Sequence, residues 1–141
     1  MLQQLAIKRI ALIDELSLDF GAGLGVLTGE TGAGKSILLD SLGLVLGSRA
    51  DPGLVQAGAE RASVSAVFGA EGLEAARAML DEAGLEIEPG EDRLILRRML
   101  SAEGRSRAFV NDQAVSVTLL RQIGARLVEV QGQFESGGLT D

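Results

Sequence analysis

Residues 29–36 read Gly29-Glu30-Thr31-Gly32-Ala33-Gly34-Lys35-Ser36, the G-x-x-x-x-G-K-[ST] spacing of a phosphate-binding loop. Each residue type has a physical task at its position. Gly29, Gly32 and Gly34 let the backbone take positive φ and approach a ligand with no Cβ in the way. The N–H groups of the segment, those of Glu30, Thr31, Ala33 and Ile37 included, can then point at phosphate oxygens. The N-terminus of a following helix adds partial positive charge. Lys35 is placed to reach the β- and γ-phosphates, and the Ser36 hydroxyl to ligate Mg²⁺. The chemistry is the binding of a nucleoside triphosphate such as ATP together with its magnesium. The bland alternative is a chance glycine-rich turn ahead of a helix, and the flanking sequence argues against it.

Those flanks are the elements that must position the loop. Leu24, Val26 and Leu27 form a short apolar run suited to a buried strand. From Ser36 to Leu46 apolar residues recur at helical spacing, at Leu38, Leu42, Val45 and Leu46, and Gly47 follows as a C-cap. Strand, glycine loop and helix are the setting the motif requires. Upstream, residues 2–20 read as two strands, with Leu16, Leu18 and Phe20 alternating with Ser17 and Asp19. Downstream, a polar connection from Ser48 to Glu60 leads to an alternating strand at Val64, Ala66 and Phe68. Leu73 to Ala83 follows as an amphipathic helix stopped by Gly84. A turn at residues 89–92 precedes hairpin strands over 93–100 and 107–110. Ser116 is the expected N-cap of a helix that uses Val117, Leu119, Leu120 and Ile123 and ends near Gly124. Residues 127–130 are expected as a last strand, running into Gln131-Gly132-Gln133.

Composition narrows the chemistry further. The 141 residues are one domain in size, and 46% of them are hydrophobic, which argues against disorder. Apolar runs are too short for a membrane span, and the N-terminus carries no signal-peptide pattern. Cysteine and histidine are absent, so there is no thiol nucleophile, no zinc cluster and no imidazole base. The expectation is a cytoplasmic protein. A net charge of −7 has the wrong sign for a domain whose whole surface grips nucleic acid. The dense basic stretch is Arg93, Arg97, Arg98, Arg105 and Arg107, and its ordinary reading is a solvated hairpin face.

A phosphate loop that hydrolyses also needs an acidic residue at the end of a hydrophobic strand to hold Mg²⁺. Ile10-Ala11-Leu12-Ile13-Asp14-Glu15 has that look, but it precedes the loop. Asp14 and Glu15 read better as turn residues on a sheet edge. Glu129, flanked by valines in the expected last strand, is a poor substitute. The magnesium site is incomplete on this reading.

Several stretches together resemble the RecN family of bacterial DNA double-strand-break repair ATPases, relatives of the SMC and ABC-type proteins. They are Ile10 to Asp14, Leu27 to Ile37, Leu46-Gly47-Ser48-Arg49-Ala50, Gly104-Arg105-Ser106-Arg107-Ala108-Phe109-Val110-Asn111, and Val130-Gln131-Gly132-Gln133-Phe134-Glu135. The resemblance runs the length of the chain. It implies an α/β P-loop NTPase fold, the N-terminal lobe of an ABC/SMC-type ATPase head, with a parallel strand feeding the loop and an antiparallel β layer from residues 2–20, 62–69 and 93–115. It implies a coiled coil and a C-terminal lobe beyond this segment, so that residues 1–141 are one lobe of a larger head. It also implies two heads that close on ATP, DNA as a partner of the intact protein, and a nucleoid location. By the same resemblance Gln133 is the Q-loop glutamine that contacts Mg²⁺ and the attacking water, with Gln131 the fallback register and an ordinary polar residue the alternative. One departure is Gln56, where family members often carry arginine.

Two rivals remain at this stage. A small P-loop kinase would need an arginine-rich substrate lid, for which the hairpin is the sole feature available. A transporter-type ABC head would stack adenine on an aromatic ahead of the loop, where Phe20 stands alone.

Overall fold

The computed structural model describes residues 2–20 and 32–130, the backbone alone for 32–35. Its framework is an antiparallel sheet of six strands in the order β2-β1-β3-β4-β5-β6. The strands are β1 (Leu2–Ile10), β2 (Ile13–Asp19), β3 (Arg61–Phe68), β4 (Leu94–Ser101), β5 (Ser106–Val110) and β6 (Gln113–Val115). Three helices accompany it: α1 (Gly32–Val45), α2 (Ala70–Glu82) and α3 (Val117–Val130). The antiparallel layer expected from residues 2–20, 62–69 and 93–115 is therefore present. The strand expected at Leu24 to Leu27 lies outside the described residues.

Alternation gives the sheet one apolar face. In β3, Ala62, Val64, Ala66 and Phe68 are buried while Ser63, Ser65 and Val67 are partly exposed. The register pairs Val64 with Ile7 on one side and Arg98 on the other, so Ile7, Val64 and Arg98 share the buried face. The helices pack on that face, and Leu38, Leu42, Leu44, Leu73, Leu80, Leu120 and Leu127 join the sheet residues in one core. Connections follow local turn chemistry. Asn111 and Asp112, both at positive φ, make the two-residue link from β5 to β6. The Asn111 side chain also accepts from the Ile95 N–H and donates to the Arg93 carbonyl, closing the open end of the hairpin.

The C-terminal third departs from the sequence expectation. Ser116 caps α3 as predicted, its Oγ accepting from the Leu119 N–H at 3.0 Å. The helix does not stop at Gly124, and no strand forms over 127–130; α3 runs unbroken to Val130. Leu120, Ile123, Gly124 and Leu127 form its buried stripe. Gly124 serves close approach, since a Cβ there would overlap the Leu46 carbonyl oxygen at the end of α1. Glu129, expected inside a strand, is an exposed helix residue paired with Arg126.

That contact fixes the sign of a substitution. Alanine normally gains about 1 kcal/mol over glycine inside a helix. At Gly124 the overlap with Leu46 reverses this, and Gly124→Ala is expected to lose about 1–3 kcal/mol, the usual cost of overpacking. A urea midpoint equal to or above that of the unsubstituted chain would contradict the assignment.

Candidate nucleotide-binding site

The site is organised by α1. The helix begins at Gly32, so Gly32, Ala33, Gly34 and Lys35 form its first turn rather than the preceding loop. The first-turn N–H groups of a helix have no partner within it and carry the positive end of its dipole. No acidic residue stands in this turn to compete for them. Ser36 is exposed, Ile37 half-buried against the core and Leu38 buried. The Ser36 hydroxyl is thus open to solvent beside an N-terminus suited to anions, and a hard oxygen donor there fits a hydrated magnesium. Gly29, Glu30 and Thr31, the side chains of Ala33 and Lys35, and both Gln131 and Gln133 lie outside what is described.

The rear of α1 is held from several directions. Gly47 takes φ +103°, its N–H bonding the Leu44 carbonyl while the Ser48 N–H bonds the Gly43 carbonyl at 2.9 Å. This is a Schellman cap, which needs a residue tolerant of positive φ. A side chain at Gly47 would also collide with the α3 backbone at Arg121. From the sheet, Arg98 donates through one Nη to the Leu44 and Ser48 carbonyls at 2.8 and 2.9 Å, and through Nε to the Ser106 hydroxyl at 2.7 Å. From α3, Arg121 Nε donates to the Gly47 carbonyl at 3.3 Å. Within the helix the buried Ser41 hydroxyl bonds the Ile37 carbonyl.

Arg98 corrects the expectation of a solvated arginine face, because its side chain is 2% exposed. Burial first, and the neighbouring Arg121 charge second, push its guanidinium below the ordinary arginine value. Taking such an ion out of water costs several kcal/mol. Hydrogen bonds to a charged group return about 1.5–3 kcal/mol each, so the three seen here are enough to offset that cost. The sequence carried a signal for this position: Arg98 alternates in phase with Leu94, Leu96 and Leu100, all buried.

The other hairpin arginines divide differently. Arg97 points to the opposite face, its guanidinium 4.7 Å from the Phe109 ring centroid, with Arg107 at 5.9 Å. Arg93, Arg105 and Arg107 are exposed. Arg61, Arg105 and Arg107 line an open cleft of about 510 Å³ at the turn end of the hairpin, together with Glu60 and Glu103. Among the described residues the ion pairs are Arg9–Asp14, Arg77–Glu74 and Arg126–Glu129, and none of them involves the three cleft arginines.

Asp14 and Glu15 stand on the edge strand β2, both exposed, with Asp14 3.4 Å from Arg9. Among the described residues no group of three carboxylates is arranged to hold a metal ion. Gln56 is half-buried, and its N–H donates to the Arg9 carbonyl at 2.8 Å.

Comparison with known proteins agrees with this geometry. Residues 4–121 match the family described as AAA domain. Among curated proteins, the chain is 42% identical over 136 residues to the DNA repair protein RecN of Haemophilus influenzae, covering 96% of this chain and 24% of that protein. It therefore spans about a quarter of the length of such relatives. Among solved structures it is similar to one described under ATP-driven dimerization and DNA-stimulated activation of SMC ATPases. There the TM-score is 0.66 at 23% identity, over 89% of this chain and 78% of that one. The Smc head domain of Pyrococcus furiosus, bound to the C-terminal domain of ScpA, gives 0.63 at 20% identity over 89% and 32%. The α/β head fold and the resemblance read from the motifs both hold.

If α1 alone defines the nucleotide pole, the acidic edge is a bystander. Asp14→Asn and Glu15→Gln are expected to leave Mg-ATP affinity within about twofold, the scale of an exposed ion pair. A loss of tenfold or more in a titration would return these residues to the site.

Proposed function

We propose, on the premise that this chain belongs to the AAA domain family, that it is the Mg-ATP-binding lobe of a RecN-like ATPase in DNA double-strand-break repair and recombination. The observation that carries the reading is a G-x-x-x-x-G-K-S motif whose last residues open a helix with an acid-free first turn and a fully held C-terminus. On this reading the loop amides and Lys35 bind and orient the β- and γ-phosphates. Preorganised donors of this kind stabilise developing charge without reorganising during reaction. Ser36 and Gln133 would hold Mg²⁺, which supplies charge neutralisation between the phosphates when bound.

Hydrolysis is assigned to a site completed by a C-terminal lobe of the same protein. The described residues offer exposed, scattered carboxylates rather than a metal-holding cluster, and the relatives are about four times as long. ATP is then the switch that closes one head on a second, with DNA engaged by the whole protein. Arg61, Arg105 and Arg107, which make no ion pair among the described residues, support an anionic partner at the hairpin cleft, beside Glu60 and Glu103. No helix among the described residues is long and apolar enough to cross a membrane. The location proposed is the cytoplasm, at the nucleoid in the intact protein.

The test is Mg-ATP binding and steady-state turnover by the chain and by Lys35→Ala, each verified as folded. Binding should weaken at least about tenfold on losing the lysine, in line with the loss of a charge-assisted contact. Turnover by the chain alone should show no dependence on Lys35. A robust Lys35-dependent rate would mean that the chain supplies its own acid, and would favour a self-contained kinase or hydrolase.

A further inference from the structure

Arg98 lies at the far end of α1 from the phosphate-binding turn, in a place that demands an explanation. A buried arginine normally faces a carboxylate. This one faces two main-chain carbonyls, Leu44 and Ser48, and the Ser106 hydroxyl. It sits on β4, the strand beside β5 in the sheet, whereas its carbonyl partners belong to α1 and its cap. Leucine at this position would continue the apolar alternation of Leu96 and Leu100 without any cost of burying charge. A guanidinium differs from leucine in one useful respect: its rigid fork fixes both the distance and the direction of the groups it binds.

We propose that Arg98 is a positioning residue for nucleotide binding, which sets where the phosphate helix lies along its own axis by gripping its C-terminal carbonyls from the sheet. The inference rests on the Mg-ATP reading above and adds a residue that contacts neither phosphate nor metal. An α-helix is stiff along its axis, so fixing the Leu44 and Ser48 carbonyls fixes the N–H groups of Gly32 to Lys35 about three turns away. Arg121 supports the same end at the Gly47 carbonyl, and the Gly124 contact with Leu46 holds α3 against it. Helix α3 ends at Val130, and Gln131 follows in sequence. One knot therefore locates both the helix of the phosphate loop and the helix that precedes the candidate glutamines.

The experiment compares Arg98→Met and Arg98→Lys with Leu73→Ala in the full chain. Leu73 is buried on α2, which packs on α3 and the sheet, and its truncation serves as a destabilised control. Each variant is titrated with a fluorescent ATP analogue and Mg²⁺ at a temperature where thermal denaturation shows it fully folded. Amide exchange is followed at Leu46, Gly47 and Ser48 without nucleotide. Arg98→Met should raise Kd at least about tenfold and speed exchange at those amides, while Leu73→Ala lowers Tm with Kd unchanged. Arg98→Lys, which keeps the charge and a donor but not the fork, should recover part of the affinity. Equal Kd for Arg98→Met and the unsubstituted chain would overturn the positioning role, and so would an equal loss in Leu73→Ala. Absence of binding by the unsubstituted chain would sink the Mg-ATP reading instead, a result separate from either of those.

Discussion

A helix that presents its N-terminal amides to a ligand cannot use them to hold itself in place. Capping side chains or a neighbouring carboxylate would satisfy those donors, but they would also occupy the ligand's position. The restraint must come from the sides and the other end, and α1 follows that constraint throughout. Leu38, Leu42 and Val45 bury its flank, the Gly47 cap ties off its last carbonyls, and Arg98 and Arg121 hold what remains. Two cations near a helix C-terminus are also electrostatically placed to complement the negative end of its dipole. Among the described residues the specific polar contacts to α1 fall at its rear.

The sheet is what allows this division. Strand periodicity sends successive side chains to opposite faces, so adjacent arginines on β4 have unrelated fates. Arg98 goes inward to α1, whereas Arg97 goes outward onto Phe109. Had the register slipped by one residue, Leu96 and Leu100 would face water and the phosphate helix would lose its anchor. Two features pin that register. Asn111 bonds the backbone on both sides of Leu94, at Arg93 and Ile95, and a two-residue turn with both residues at positive φ fixes the next hairpin.

Where the sequence was legible, a local period and a local stop signal agreed. The alternation in residues 2–20, 62–68 and 94–110 and the caps at Gly47 and Ser116 all have this form. The failures came where one residue type serves two purposes. Gly124 was read as a helix stop because glycine weakens helices, yet it is conformationally ordinary there and is required by the close approach of Leu46. That purpose is visible only once α1 and α3 are in contact. A stop at Gly124 isolates Leu127 to Val130 as an apolar fragment with the look of a strand. Continuing the spacing of Leu120 and Ile123 to Leu127 would have recovered the helix. Arg98 failed for a related reason: a run of charges suggests a solvated face, and that habit outweighed the phase of the alternation.

Charge across the sheet has a consequence for any anionic partner. The chain carries −7 overall, but its charge is uneven, even though Glu60 and Glu103 share the cleft of the hairpin arginines. Edge strand β2 exposes Asp14, Glu15 and Asp19, whereas the β4–β5 hairpin exposes Arg105 and Arg107, with Arg61 beside them. In the strand order, β2 and β5 are separated by β1, β3 and β4. At about 4.8 Å per strand spacing β2 and β5 lie roughly 19 Å apart. The screening length at physiological salt is about 8 Å, so the acidic edge does little to cancel the field at the hairpin. Net charge is therefore a poor guide to what this surface attracts. For the proposed anionic partner, the three arginines favour approach at the hairpin over β2, against the two carboxylates that line the same cleft. The hairpin that presents Arg105 and Arg107 outward is also the one that sends Arg98 inward to α1, so one hairpin joins the outer surface to the phosphate helix.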